Sequence, residues 1–228
     1  MVFAFAFPPL FMLVLAGVFG NEDDVGGTGV SGTDYYIAGY IGIPMGALAL
    51  VGLPVMLASY RERDVLRRFE AFGVPTSRVV AAQALVTAVL IVLAADLVVA
   101  TAAPIYGIPP IEDVGGVIAR FVAGTITMIS LGVVLGLAVP TARAAQALGL
   151  LVFMPMWLLG GGGPPPEVMS DAMQSISDVL PLTHATTAIR EAWLSGDPVG
   201  GHLVALGVWL AVGIVAIAVL LRRRDTRA

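Results

Sequence analysis

Few side chains in this sequence can do chemistry inside an apolar setting. Asp96 is the one carboxylate placed well inside a long apolar run. An acid at that depth is costly to ionise and faces either a partner or a water-filled cavity. Arg120 enters the next apolar run from the same side and at a comparable depth. An Asp96–Arg120 ion pair is therefore the expected arrangement, with a substrate or proton site as the alternative. The two histidines, His184 and His202, are far apart in sequence and make no case for a metal centre. Gly29-Val30-Ser31-Gly32 has the Gly-x-Ser spacing of an intramembrane serine protease. It lies in a polar loop, where water needs no gating, so the protease reading is set aside.

What the chain lacks narrows the field further. It has no cysteine, hence no disulfide, thiolate nucleophile or cysteine-held zinc. It has no lysine, which excludes a Walker A phosphate loop and Schiff-base chemistry. If ATP is used, another chain binds it.

These residues sit among long apolar segments. Of 228 residues, 58% are hydrophobic and 12% charged, where a soluble domain has about 25% charged. The fold class is all-α, a polytopic membrane protein with six spans at about 2–20, 35–60, 79–104, 117–140, 146–160 and 201–221. The first run is just long enough to cross a core of roughly 30 Å, and no positive n-region or clear Ala-x-Ala site marks it as a signal peptide. Pro44 and Pro54 should bend the second span, whose tyrosines suggest an interfacial belt. The fifth run, about 15 residues, is short for a full span and ends in Gly-Gly-Gly-Gly-Pro-Pro-Pro. An amphipathic helix is expected over 166–180, with Val168, Met169, Ala172, Met173, Ile176 and Val179 on its apolar side and Pro181 stopping it. A second short helix follows over 183–195. Together they read as a re-entrant or interfacial outer pair before the last span.

The stretch Arg61–Arg78 sets orientation. Arg61, Arg63, Arg67, Arg68 and Arg78 lie between two spans, and positive charge beside a span marks the cytoplasmic side. Arg143, Arg222, Arg223, Arg224 and Arg227 fall on the same side; Arg120 and Arg190 do not. Acids gather on the other face, among them Glu22, Asp34, Glu112, Asp113, Asp171, Asp178 and Glu191. Both termini are then cytoplasmic. Within the stretch, Arg61–Phe72 reads as an amphipathic helix. Val65, Leu66, Phe69 and Phe72 form its apolar face, and Asp64 and Arg68, four apart, support it.

Three features resemble the permease subunit of type-2 ATP-binding-cassette exporters, the drug-resistance-transport group. They are Arg-Glu-Arg-Asp-Val-Leu-Arg-Arg followed by Phe-Gly-Val-Pro-Thr-Ser-Arg, the short fifth span with its Gly-Pro ending, and Val-Leu-Pro-Leu-Thr-His-Ala-Thr-Thr-Ala-Ile-Arg-Glu before the last span. The resemblance covers nearly the whole chain and implies one permease domain, 1–228. It implies a second permease chain and a separate cytoplasmic ATPase subunit that carries ATP and Mg. No catalytic residue, cofactor or metal is expected on this chain. Coupling to the ATPase would fall on Arg61, Glu62, Arg63, Asp64, Arg67, Arg68 and Glu70. The family's path lies along spans two and five, which puts Met45, Leu48, Met56, Met154, Trp157 and Leu158 in contact with substrate. Family members usually begin with an amphipathic helix on the membrane, whereas here the first apolar run starts at Val2. The alternatives are an ATP-independent channel or a secondary carrier.

Overall fold

The computed structural model describes residues 2–19, 29–164, 169–196 and 201–225, and among these every regular element is helical. The chain runs α1 (Val2–Phe19), α2 (Gly32–Tyr40), α3 (Ile43–Ala47), a π-helical turn (Leu48–Gly52), α4 (Leu53–Glu62), α5 (Val65–Ala71), α6 (Thr76–Tyr106), α7 (Val114–Ala138), α8 (Ala142–Leu159), α9 (Asp171–Ser177), α10 (Pro181–Leu194) and α11 (Gly201–Asp225). Five segments are long and apolar enough to cross a membrane: Gly32–Glu62, Thr76–Tyr106, Val114–Ala138, Ala142–Leu159 and Gly201–Arg222. The apolar part of α1, Phe5–Phe19, is shorter than these.

The second span is the axis of the bundle. Its apolar window is 78% buried, against 11% for that of α11. Tyr35, Tyr36 and Tyr40 are therefore core residues, not a belt. Tyr36 and Tyr40 are fully buried, and a buried hydroxyl needs an acceptor. They donate to the carbonyls of Gly163 and Gly162, at 3.3 and 2.7 Å, so the glycine turn after α8 is pinned to α2. Tyr60, at the other end, meets Gln83 of α6 at 3.2 Å.

The second span is irregular just before Pro54, and the chemistry there is specific. Across the π-helical turn the Leu53 N–H bonds five residues back, to the Leu48 carbonyl. Ala49 thereby loses its ordinary donor, and the next residue, Pro54, has no N–H to offer. The Ala49 carbonyl turns to α7, where a Cβ on Gly132 would lie 2.0 Å from it. The Leu50 carbonyl turns to α8, where a Cβ on Gly149 would lie 2.3 Å away. Only glycine permits backbones this close, and the contact left is a weak Cα–H···O bond. The second span is thus gripped on two sides at its most irregular turn.

Several expectations need correction. The fifth span is α8, Ala142–Leu159, 18 residues rather than about 15. It starts earlier because Thr141 caps it, its hydroxyl accepting from the Ala144 N–H at 3.2 Å. The helix expected over 166–180 is only the seven-residue α9, Asp171–Ser177; residues 165–168, Val168 among them, lie outside the described set. Its apolar side does not face the protein, since Met173, Ile176 and Val179 are exposed. Pro181 starts α10 instead of ending its predecessor, because a proline suits the first helical position. Helix α10 packs into the bundle. Leu182, Ala185, Thr186, Ala188, Ile189, Ala192 and Trp193 are all buried against the bundle.

Two ends follow from these contacts. At one end the last carbonyls of α10 accept from the loop before α7: Glu112 N–H to Trp193 and Asp113 N–H to Ala192, at 3.0 and 3.1 Å. At the other end, the close of α4 meets the α7–α8 turn.

Candidate functional site

That second end carries the arginine stretch. Helix α4 stops at Glu62, and Asp64 takes a left-handed conformation, φ 54°. Aspartate tolerates this region better than most residues, and the break lets α5 leave at a new angle. Gly73, at φ 78°, then turns the chain into α6. So the expected single helix Arg61–Phe72 is two, with Arg61 and Glu62 belonging to the second span. The expected Asp64–Arg68 helix pair does not form. Asp64 lies outside α5 and instead approaches Arg67, 3.9 Å away, with both side chains largely exposed. Such a pair contributes little.

Arg61 and Glu62 do not point away from the protein. The Arg61 guanidinium donates to the Leu137 carbonyl, in the last turn of α7. The Glu62 carboxylate accepts from the Ala142 N–H, the first residue of α8, at 3.0 Å. A cation sits on a helix C-terminus and an anion on a helix N-terminus, each in the sense its dipole favours. Glu62, Arg143, Thr141, Gln146 and Val55 line an open recess of about 470 Å³ at this point. Glu70 accepts from the Thr76 hydroxyl and ties α5 to the start of α6.

The remaining charges and two rings face outward. Arg63, Arg67 and Arg68 are exposed. Of the four apolar residues expected against the spans, Leu66 is buried and Val65 half-buried. Phe69 is 41% and Phe72 85% exposed. The helix is too short to bury all four; it docks through Leu66 and leaves its end aromatic in the open.

The expected path residues divide. Met45 and Leu48 are fully buried inside the chain, the Met45 sulfur against Gly124, so in this conformation they are core. Met56 is half-buried on α4, Met154 and Trp157 half-buried on α8, and Leu158 is exposed. Trp157 packs edge-on against Phe7 and Phe11 of α1, with ring centroids 5.0 Å apart in each case.

Asp96 and Arg120 are not brought together. Arg120 is 3% exposed and donates to the Ala188 carbonyl of α10 at 2.9 Å. Asp96 lies on the outward face of α6, exposed. Their sequence depths agree, but the two helices turn these positions in different directions. Ser31 caps α2, its hydroxyl accepting from the Asp34 N–H at 3.2 Å. Sequence reasoning missed the inward roles of Arg61 and Glu62. The signal available was their place beside the helix ends at 138 and 142 once the spans are folded back on one another. It also missed that His184 and His202 come together, although among the described residues no set of three metal-ligating groups gathers around them.

The fold and this end of it define a multi-pass helical membrane protein with a cationic helix exposed at one end. Residues 1–194 match the ABC-2 type transporter family, and the chain belongs to it. It is similar to Nodulation protein J of Neorhizobium galegae, 40% identical over 80 residues, a stretch covering 34% of this chain and 30% of that protein. No solved structure matches. The chain is thus a membrane transporter permease component, and the family in general works with an ABC ATPase.

Proposed function

We propose that this chain is the permease subunit of an ATP-driven exporter in the plasma membrane. It pairs with a second permease chain and with a separate cytoplasmic ATPase subunit that binds ATP and Mg. It has six spans, α1 being the first, and both termini and residues 61–78 lie in the cytoplasm. The substrate is drug-like, lipidic or otherwise amphipathic, and moves out by alternating access between the paired permeases. The half-buried methionine and tryptophan of α4 and α8 suit a surface that must accept varied apolar ligands.

The observation that carries this reading is α5. A short helix with two exposed arginines, a third exposed arginine just before it and an 85% exposed phenylalanine at its end is an unfavourable way to meet water, and a natural way to meet a partner's cleft. An aromatic beside arginines is the usual make-up of an interface hot spot.

The test is retention of the ATPase subunit on the purified permease. Phe72→Ala together with Arg63→Ala and Arg67→Ala touches no buried group, so the chain should insert and melt as wild type does. Binding of the ATPase should weaken by about thirtyfold or more, the scale of one lost hot spot of roughly 2 kcal/mol. Unchanged affinity, with an ATPase response to substrate like that of wild type, would sink the reading of α5 as the contact.

A further inference from the structure

At the end of the bundle opposite the arginine stretch, the two histidines of the chain meet. His184 lies in the first turn of α10 and His202 is the second residue of α11. Their Nδ1 atoms are 2.9 Å apart and their ring centroids 5.2 Å. Nε2 of His202 is 3.3 Å from Oε1 of Glu191. The main chain and the carboxylate of Asp178 both lie near the His184 ring. A second tie runs alongside, where Trp209 Nε1 of α11 donates to the Val179 carbonyl at 3.0 Å. Both imidazoles are part-exposed, so solvent protons reach them.

Counting hydrogens shows what this contact tolerates. The Glu191 carboxylate takes the Nε2–H of His202, which leaves its Nδ1 as a lone pair. His184 then donates its own Nδ1–H to that lone pair, which leaves its Nε2 as a lone pair. One added proton goes to Nε2 of His184 and makes the donor an imidazolium, which strengthens the bond. A second has only Nδ1 of His202 to occupy. It removes the acceptor and sets two cations side by side. The contact therefore survives zero or one added proton, and not two.

We propose that His184 and His202 form a proton-operated latch that holds α11 to α10 near neutral pH and lets go when acid at that face loads both rings. Among the described residues, the other charged groups on these elements make no hydrogen bond or ion pair with the two rings. Asp113 caps α7, Arg120 donates to the Ala188 carbonyl, Arg190 stacks on the Tyr35 ring, and Asp34 lies in the first turn of α2. Arg143 and Arg222 are at the opposite end. Asp178 and Glu191 are left to face the pair. Burial and the facing His202 push the His184 imidazole below its ordinary value, against the pull of Asp178. The unfolded chain then binds more protons than the folded one. The latch's contribution is full above about pH 6.5 and is lost as pH falls through the depressed His184 value, where both rings become charged.

The chain has two histidines and no cysteine, so both readouts are clean. Chain labelled with ¹⁵N-histidine, in nanodiscs with a chelator present, is titrated by NMR from pH 8 to pH 4.5. In parallel, spin labels on Met173→Cys of α9 and Val204→Cys of α11, both exposed positions, report the distance of α11 from α9, the helix that leads into α10. The expected result is two coupled protonation steps rather than two independent ones, with the distance lengthening only through the lower step. In His202→Gln the remaining histidine should titrate once, closer to about 6.5, and the distance should lose its pH dependence. Independent titration of both rings near the ordinary value overturns the proposal. So does a constant distance at a pH where both rings are charged, and so does loss of helical circular dichroism along the same curve, since general unfolding would then account for the change.

Discussion

Replacing Gly132 by alanine tests the grip on the π-helical turn most directly. The added Cβ would lie 2.0 Å from the Ala49 carbonyl oxygen and 2.8 Å from its carbon. A carbon–oxygen contact relaxes to about 3.3 Å, so α7 and the second span must part by roughly 1.3 Å. The obstacle is main chain, fixed by the Leu53–Leu48 bond and by Pro54, and has no rotamer to escape into. Overpacking of this kind costs about 1–3 kcal/mol. Alanine recovers up to about 1 kcal/mol of helix propensity over glycine. With the obstacle immobile, the upper end applies and the net loss is about 2 kcal/mol, or a melting temperature lower by about 4–8 °C for a chain of this length. Gly207→Ala in α11 is the control, because a Cβ there meets nothing within 4 Å; it should match wild type or melt slightly higher. The assay is thermal melting of the purified chain in nanodiscs by intrinsic fluorescence. If Gly132→Ala melts with wild type while Gly207→Ala behaves as expected, the close approach of α7 to the turn is not part of the folded protein.

Two further substitutions separate buried from outward-facing polar groups. Tyr40→Phe removes the 2.7 Å bond to the Gly162 carbonyl and leaves a buried acceptor unserved, which should destabilise by about 1–3 kcal/mol in the same melting assay; a change within error would mean the glycine turn is not pinned there. Asp96→Asn touches an exposed position on α6 and should leave the melting temperature of the single chain unchanged, whereas a clear drop would revive a buried ion pair with Arg120.

The all-helical fold and most of the spans were legible in the sequence, because an apolar run long enough to cross a bilayer has few other solutions. So was the site of α5, since arginines and glycine–proline punctuation bracket it. What was not legible depends on which way a helix is turned. Tyr35, Tyr36 and Tyr40 read as a belt because tyrosine is common at interfaces, yet the glycine turn after α8 offers carbonyls that draw two of them inward. Asp96 and Arg120 share a depth but not a direction. Phe69 and Phe72 fit a helical stripe, but the stripe is longer than the surface on which α5 rests. The two histidines carry no local signal at all; only the return of α11 alongside α10 makes them neighbours.

The link at Arg61 and Glu62 has a mechanical consequence. Adjacent residues on one helix hold the tail of α7 and the head of α8, so the three cannot slide independently. The left-handed break at Asp64 lies just beyond them and works as a knuckle. Torque applied to α5 therefore meets a crank whose arm is the second span and whose bearing is the α7–α8 turn. With the π-helical turn wedged between Gly132 and Gly149 further along the same arm, rotation at the base has a fixed fulcrum to work against, and the throw appears at the tyrosine end, where the glycine turn and α10 are hung.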